Sequence, residues 1–382
     1  MRDPRIDRLA EVLVKYSVVV KKGDVVLVRG PAVAEPLITS VFRAVLRAGG
    51  HPVLRVRVPE TEELLCKLGD ESQLSYIYPG NKLDMEAINC MISIQAEENT
   101  RSMSNVDPAK QATITQARKP ILETIMRREV LPDDEKLRWV GTQYPCNASA
   151  QDAEMSLGEY EDFVFKAGLL HLSDPAGAWR KMGTAQKRVC DFLSKAKEIR
   201  FIAPGTDLRL GIEGRVWVNC DGKNNFPDGE VFTGPVEDAV EGDVCFSYPA
   251  VFGGQEVHDV RLKFRDGKVV DARAGKGEVF LHEMLNQDKG AKTLGEIAIG
   301  TNYAIKDFTK NTLFDEKIGG TFHAALGMGY PITGSKNVSA LHWDMVCDLR
   351  KGGRIEADGK EISKGGRFHN ANWPKPVGRS RR

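Results

Sequence analysis

The chain has 382 residues, 41% hydrophobic and 28% charged, which fits a folded globular protein and exceeds what one ordinary core organises, so two domains are expected. Lys+Arg 54 against Asp+Glu 53 leaves a formal net charge of +1, which gives no electrostatic footprint for a nucleic-acid or membrane-surface partner. No run reaches the roughly 18 apolar residues of a membrane span, and the charged opening MRDPRIDRLAEVLVKY lacks the apolar core of a secretory signal.

In chain order, the first half alternates. IDRLAEVLVKY sets Ile6, Leu9, Ala10 and Leu13 on one helical stripe. KKGDVVLVRG then predicts a strand from Val25 to Val28. AEPLITSVFRAVLRAGG reads as a helix stopped at Gly49 and Gly50, and HPVLRVRV as the next strand. Strand, helix and strand with short links make a βαβ unit, hence a largely parallel sheet covered by helices. Further strands are expected at Cys90–Ile94 and Leu137–Thr142, with SNVDPAKQATITQARKPILETIMRREV helical between them. No GxGxxG or GxxxxGK[ST] follows the first strand, which argues against a nucleotide site.

From about Ile199 the pattern changes to short strands and turns: IRFIAPG, TDLRLGIEG, GDVCFSYPA and HDVRLKFRDGKVVDARA, with RDGK as a hairpin signal. KGEVFLHEMLNQ is the one helical interruption. The expected architecture is an α/β N-terminal domain over residues 1–197 and a β-rich α+β domain over 198–382, divided in or after the helix TAQKRVCDFLSKAKE. The ending GRSRR reads as a short solvated tail. The seven cysteines, Cys66, Cys90, Cys146, Cys190, Cys220, Cys245 and Cys347, are odd in number and form no CxxC pair. They fit reduced thiols in the cytoplasm rather than a disulfide framework.

The chemistry concentrates in the second half. In SALHWDMVCDL, His342 and Asp344 stand two apart in a strand pattern and so share a face, while Trp343 and Met345 face the other way. An imidazole and a carboxylate projecting together suit a divalent metal; a hydrogen-bonded His–Asp pair is the plain alternative. His323 stands in the glycine-rich GGTFHAALGMGYP. Glu296 stands in TLGEIAIGTN among Leu294, Ile297 and Ile299, where a carboxylate is costly unless paired or bound to a cation. Glu230 follows the Pro-Asp-Gly turn of NNFPDGEVFTGP, a position where a solvated charge would be ordinary. Together these five are an inventory for two divalent ions, which can share a carboxylate and activate water. Cys347, five residues from His342, falls on the opposite strand face and reads as core. His51, His171, His258, His282 and His369 read as structural or solvent-facing.

Four blocks in order, NFPDGEVFTGP, LGEIAIGTN, FDEKIGGTFHAALGMGYP and SALHWDM, together with the earlier LVKYSVVVKKGDVVLVRG and NASAQDAEMSLGEYEDFVF, carry a resemblance over nearly the whole chain. The sequence resembles the M29 family of metallo-aminopeptidases. That resemblance implies a hydrolase acting on peptides as a homodimer. It implies two divalent ions (Zn, Co, Mn or Mg) held by Glu230, Glu296, His323, His342 and Asp344, with Glu296 bridging. It also implies Tyr330 beside the metals as a hydrogen-bond donor, and Glu296 or Glu230 as the proton shuttle. One departure is Ser335, where a second glycine is common, in a loop near His342. Two other readings stand beside this one: a mononuclear iron ring-cleaving dioxygenase on the same fold, expected to have histidine in place of one glutamate, and a catalytically silent binding protein.

Overall fold

The computed structural model describes residues 3–376; the GRSRR tail lies outside them. The chain forms two compact units, residues 1–176 with 222–227, and residues 177–221 with 228–382. The sequence reading places the division at 197/198, whereas the units part inside the helix Pro175–Leu193.

The first unit is built on a parallel sheet whose strands run, edge to edge, His51–Arg57, Val25–Pro31, Cys90–Gln95, Arg138–Gln143 and Asn225–Phe226. The βαβ unit is realised by the helix Glu35–Arg47, which buries Leu37, Ile38, Val41 and Val45. That helix ends where Gly49 takes a φ of +82°, the left-handed conformation that stops a helix without Cβ strain. The expected helix after Asp107 runs Pro108–Glu129 and tolerates Pro120 internally.

The second unit packs two sheets around one apolar core. An eight-stranded antiparallel sheet contributes Phe201, Leu208, Leu210, Val244 and Leu262 to it. A five-stranded antiparallel sheet has the order His342–Asp348, Thr321–Gly327, Leu294–Gly300, Glu230–Thr233 and Val218–Cys220. The RDGK hairpin forms as read, joining Arg261–Arg265 to Lys268–Arg273. Asp266 and Gly267 both have positive φ (47° and 75°), the requirement of a two-residue hairpin turn that matches strand twist.

Four strands of the five-stranded sheet give one face to the core. Ile297 and Ile299, Phe322, Ala324 and Leu326, and Trp343, Met345 and Cys347 all belong to that core. The alternation therefore sends Glu296, His323, His342 and Asp344 to the opposite face. Trp343 is 1% exposed and packs against Phe252 and Phe280, with ring centroids 5.6 and 5.8 Å away. Trp343→Ala removes that packing and leaves a cavity in the core beneath the strand that carries His342 and Asp344. The expected cost is about 3–5 kcal/mol, read as a lower urea midpoint with an unchanged slope.

Candidate metal centre

The polar face of this sheet is assembled by register. Asp344 pairs with Ala325, and Ala325 with Glu296, so a small residue separates the two carboxylates across three strands. His323 pairs with Ala298 on one side and Val346 on the other, while Glu230 pairs with Gly300. Alanine and glycine between the large polar residues leave room over the sheet for the side chains to converge. Gly327, the partner of His342, has a φ of +98°, and a Cβ there would lie 2.1 Å from the carbonyl oxygen of Leu341. Only glycine holds that strand end against the start of the His342 strand.

The five residues singled out in the sequence come together. His323 Nε2 lies 3.3 Å from Glu296 Oε1, 3.7 Å from Glu230 Oε2 and 3.9 Å from Asp344 Oδ1. His342 Nε2 lies 3.6 Å from both Glu296 Oε2 and Asp344 Oδ2. Each imidazole is turned by its other nitrogen: His323 Nδ1 is 3.2 Å from the Glu316 carbonyl and His342 Nδ1 is 2.8 Å from the Met328 carbonyl. A carbonyl can only accept, so Nδ1 donates and Nε2 is the nitrogen turned to the carboxylates, where it carries a proton without a cation and offers a lone pair once that proton is displaced. That is the arrangement that fixes a metal-ligating tautomer. Glu230, for which a solvated turn position was the ordinary reading, is 5% exposed.

Two residues here were not singled out in the sequence. Glu316 and Lys317 follow the short helix Thr312–Asp315 and enter the same cluster. Lys317 is 1% exposed, and its Nζ lies 3.2 Å from Glu230 Oε1 and 2.5 Å from Glu316 Oε2. The signal was an acid–base pair, Glu-Lys, wedged between the apolar Phe314 and Ile318 in FDEKIGG. Potential ligand atoms fall into two groups sharing this face: Glu230, Glu316 and His323; and Glu296, His342 and Asp344. Within each group the atoms lie within 4.8 Å of one another. A third group of that kind, Cys220, Asp228 and Glu230, shares Glu230 with the first.

The electrostatics follow from packing like charges in a dry place. Burial pushes the Asp344 carboxyl up to about 8, helped by nearby Glu316. Burial also raises Glu230, outweighing the pull of Lys317 and His323. At Glu316 the balance reverses: burial opposes ionisation, but Lys317 and His323 hold the carboxyl below its ordinary value. Burial alone would lower His323, yet the hydrogen bond to Glu296 and the charges of Glu230 and Glu316 raise it to about 10. Asp344 and Glu296 likewise raise His342 against its burial. Lys317 is held well above its usual value, its burial overcome by Glu230 and Glu316. Burial, then Glu296 and Asp344, raise the Tyr330 phenol.

An excess of buried carboxylates facing two oriented imidazoles fits a divalent cation in donor chemistry. Glu230 Oε2, buried and without a hydrogen-bond partner among the described residues, is the orphaned atom such an ion would satisfy. Because His323 holds its proton at neutral pH until an ion displaces it, cation affinity is expected to fall with acidity. His323, raised to about 10, gives a fall of about tenfold per unit below that value, and Asp344, raised to about 8, steepens it below pH 8, with more than one proton released per ion. Titration calorimetry in buffers of different ionisation enthalpy reads this directly; an affinity flat from pH 6 to 8 would contradict it.

The model of the family described as thermophilic metalloprotease (M29) matches residues 2–368. The chain belongs to the M29 family. The resemblance read from the sequence is borne out, and with it the assignment as an enzyme, a hydrolase that uses divalent metal. Among M29 relatives, Aminopeptidase 2 of Geobacillus stearothermophilus is 27% identical over 368 residues, covering 89% of this chain and 87% of that protein. The solved structure of wild-type AmpT from Thermus thermophilus superposes with a TM-score of 0.84 at 23% identity, covering 96% of this chain and 99% of that one. The fold, a parallel-sheet unit followed by an antiparallel β-rich unit, is thus the one expected. A dihydroxypyridine dioxygenase from Pseudomonas putida KT2440 shares the fold more distantly, with a TM-score of 0.57 at 13% identity and coverage of 96% and 98%.

Proposed function

We propose that this M29 hydrolase removes N-terminal residues from peptides at a centre built for two divalent ions. The ligands are Glu230, Glu296, His323, His342 and Asp344, with Glu316 added to the set read from the sequence. The supporting observation is the convergence of these six side chains from four strands and one turn on a single polar face, as two adjoining ligand groups. Held by these residues, divalent ions would supply Lewis acidity, which lowers the pKa of water from 15.7 toward about 7. The protein's own residues do the rest. Glu296, its two oxygens turned toward different histidines, holds the ligand groups together. The Tyr330 phenol, edge-on to His342 with ring centroids 5.3 Å apart, donates a hydrogen bond to the oxyanion. Glu296 or Glu230 carries the proton to the leaving amine. A free α-amine on the substrate meets the same excess of carboxylate, which accounts for cutting at the N-terminus.

The hard N/O donor set, with no thiolate in either main group, admits zinc, cobalt, manganese or magnesium. All seven cysteines are unpaired, which supports a reducing, cytoplasmic setting. Among the described residues no helix is long and apolar enough to cross a membrane. The functional assembly is a homodimer, expected to elute at twice the 42.2 kDa chain mass.

The dioxygenase reading takes two histidines and one carboxylate for a single ferrous ion and exchanges one glutamate for histidine. Here Glu230 and Glu296 both stand in the cluster, which favours the peptidase. Chelator-treated protein is expected to release no chromophore from aminoacyl-p-nitroanilides, and added divalent metal to restore release. Metal analysis should give two ions per chain. One iron per chain, or no metal-dependent release across a broad panel, would overturn the proposal.

A further inference from the structure

Lys317 is a buried ammonium inside a cluster built for cations. It makes ion pairs with Glu230 and Glu316, two of the three ligands in one group. Among the described residues no lysine or arginine forms an ion pair with the other group, Glu296, His342 and Asp344. The second independent sign is Glu230 itself: Oε1 faces Lys317, while buried Oε2 has no hydrogen-bond partner among the described residues and has the His323 imidazole 3.7 Å away, so this oxygen is open to ligation. The backbone of Lys317 is fixed on both sides, its N–H donating to the Phe314 carbonyl at 3.0 Å and its carbonyl accepting from Asn302 at 3.0 Å. Its side chain can leave the cluster only by changing rotamer against close packing.

We propose that Lys317 makes the two cation positions unequal: its ammonium stands in for a cation between Glu230 and Glu316, so a divalent ion fills the Glu296–His342–Asp344 position first. An ion enters the Glu230–Glu316–His323 position only by drawing those two carboxylates away from Lys317. The physical reason is charge balance. Four carboxylates, Glu230, Glu296, Glu316 and Asp344, share one dry face, and a fixed positive charge beside two of them lowers what a second divalent ion gains by binding there. Lys317 thus sets the metal concentration at which the centre becomes complete. This inference rests on the two-ion reading above.

The test is titration of chelator-stripped, full-length protein with Mn2+ alone, followed by calorimetry and by electron paramagnetic resonance of the free ion. Wild type is expected to show two classes of site with dissociation constants at least tenfold apart. In Lys317→Met the weaker site should tighten at least tenfold while the tighter one stays within twofold. Lys317→Gln, which keeps hydrogen-bonding capacity in the buried position, gives the same reading should Lys317→Met not fold. Lys317→Arg, which keeps the charge, should leave the sites unequal. One ion in wild type and two in Lys317→Met would be the strongest support. Two equal sites in wild type, or a weaker site unmoved in both neutral variants, would overturn the role of Lys317 and leave the two-ion reading standing. A single ion in wild type and in both neutral variants would overturn both.

Discussion

Glu296→Gln is expected to lower kcat by at least a thousandfold and to remove at least one of the two ions, with the fold retained. The expectation comes from where the two carboxylate oxygens go. Oε1 is 3.3 Å from His323 and Oε2 is 3.6 Å from His342, so one side chain touches both ligand groups. Asp344 also reaches both imidazoles, but at 3.9 and 3.6 Å, and sits at the outer strand of the sheet. Glutamine keeps the shape and one oxygen but removes the charge and turns an acceptor into an N–H donor that faces an imidazole N–H. Ligation of a cation by that arm is lost, and the amide has no acceptor to satisfy it in a place where Glu296 is only 5% exposed. A Lewis-acid contribution of several kcal/mol, at about 1.4 kcal/mol per factor of ten, sets the thousandfold scale. Inductively coupled plasma analysis and steady-state kinetics on the same preparation check it. A variant that keeps two ions per chain and a tenth of the wild-type kcat would show that Glu296 is not the residue joining the halves.

The centre was legible in the sequence to the extent that strand periodicity could speak. His342 and Asp344 at i and i+2 were placed on one face, with Trp343 and Met345 opposite, and the sheet obeys that alternation. Glu296 was read as an odd charge among apolar residues, and its strand is indeed buried throughout. What periodicity could not give was register, which depends on three strands meeting: that Ala325 would lie between Glu296 and Asp344 is not visible in any one segment. Glu316 and Lys317 escaped for a related reason. They sit in a turn, where no period applies, and a Glu-Lys neighbour pair in a turn is usually a solvated surface pair. Only burial distinguishes them, and burial is a tertiary fact. The parallel sheet of the first unit was legible through its βαβ order. Its edge strand Asn225–Phe226 was not, because it is two residues long and follows in the chain after the helix Pro175–Leu193 and the first strands of the second unit.

Tyr330→Phe carries the other large expectation. The phenol ring stands edge-on between Phe232, 5.5 Å away, and His342, 5.3 Å away. Phenylalanine therefore fits the same slot, and ion content and folding should be unchanged. Burial, with Glu296 and Asp344 nearby, holds the phenol above its ordinary value, so it remains a donor throughout the pH range in which the enzyme is assayed. A donor that meets the developing oxyanion is worth about 2.7–4 kcal/mol, or a factor of 10² to 10³ in kcat, with KM moving far less. The shape of the pH profile separates this role from another. If Tyr330 gave up its proton during turnover, the wild-type profile would carry a basic limb that the phenylalanine variant loses. A donor that never ionises leaves the two profiles parallel, displaced by a constant factor from pH 6 to 9. A variant within threefold of wild type would remove Tyr330 from the chemistry and leave oxyanion stabilisation to the ions and to other donors on that face.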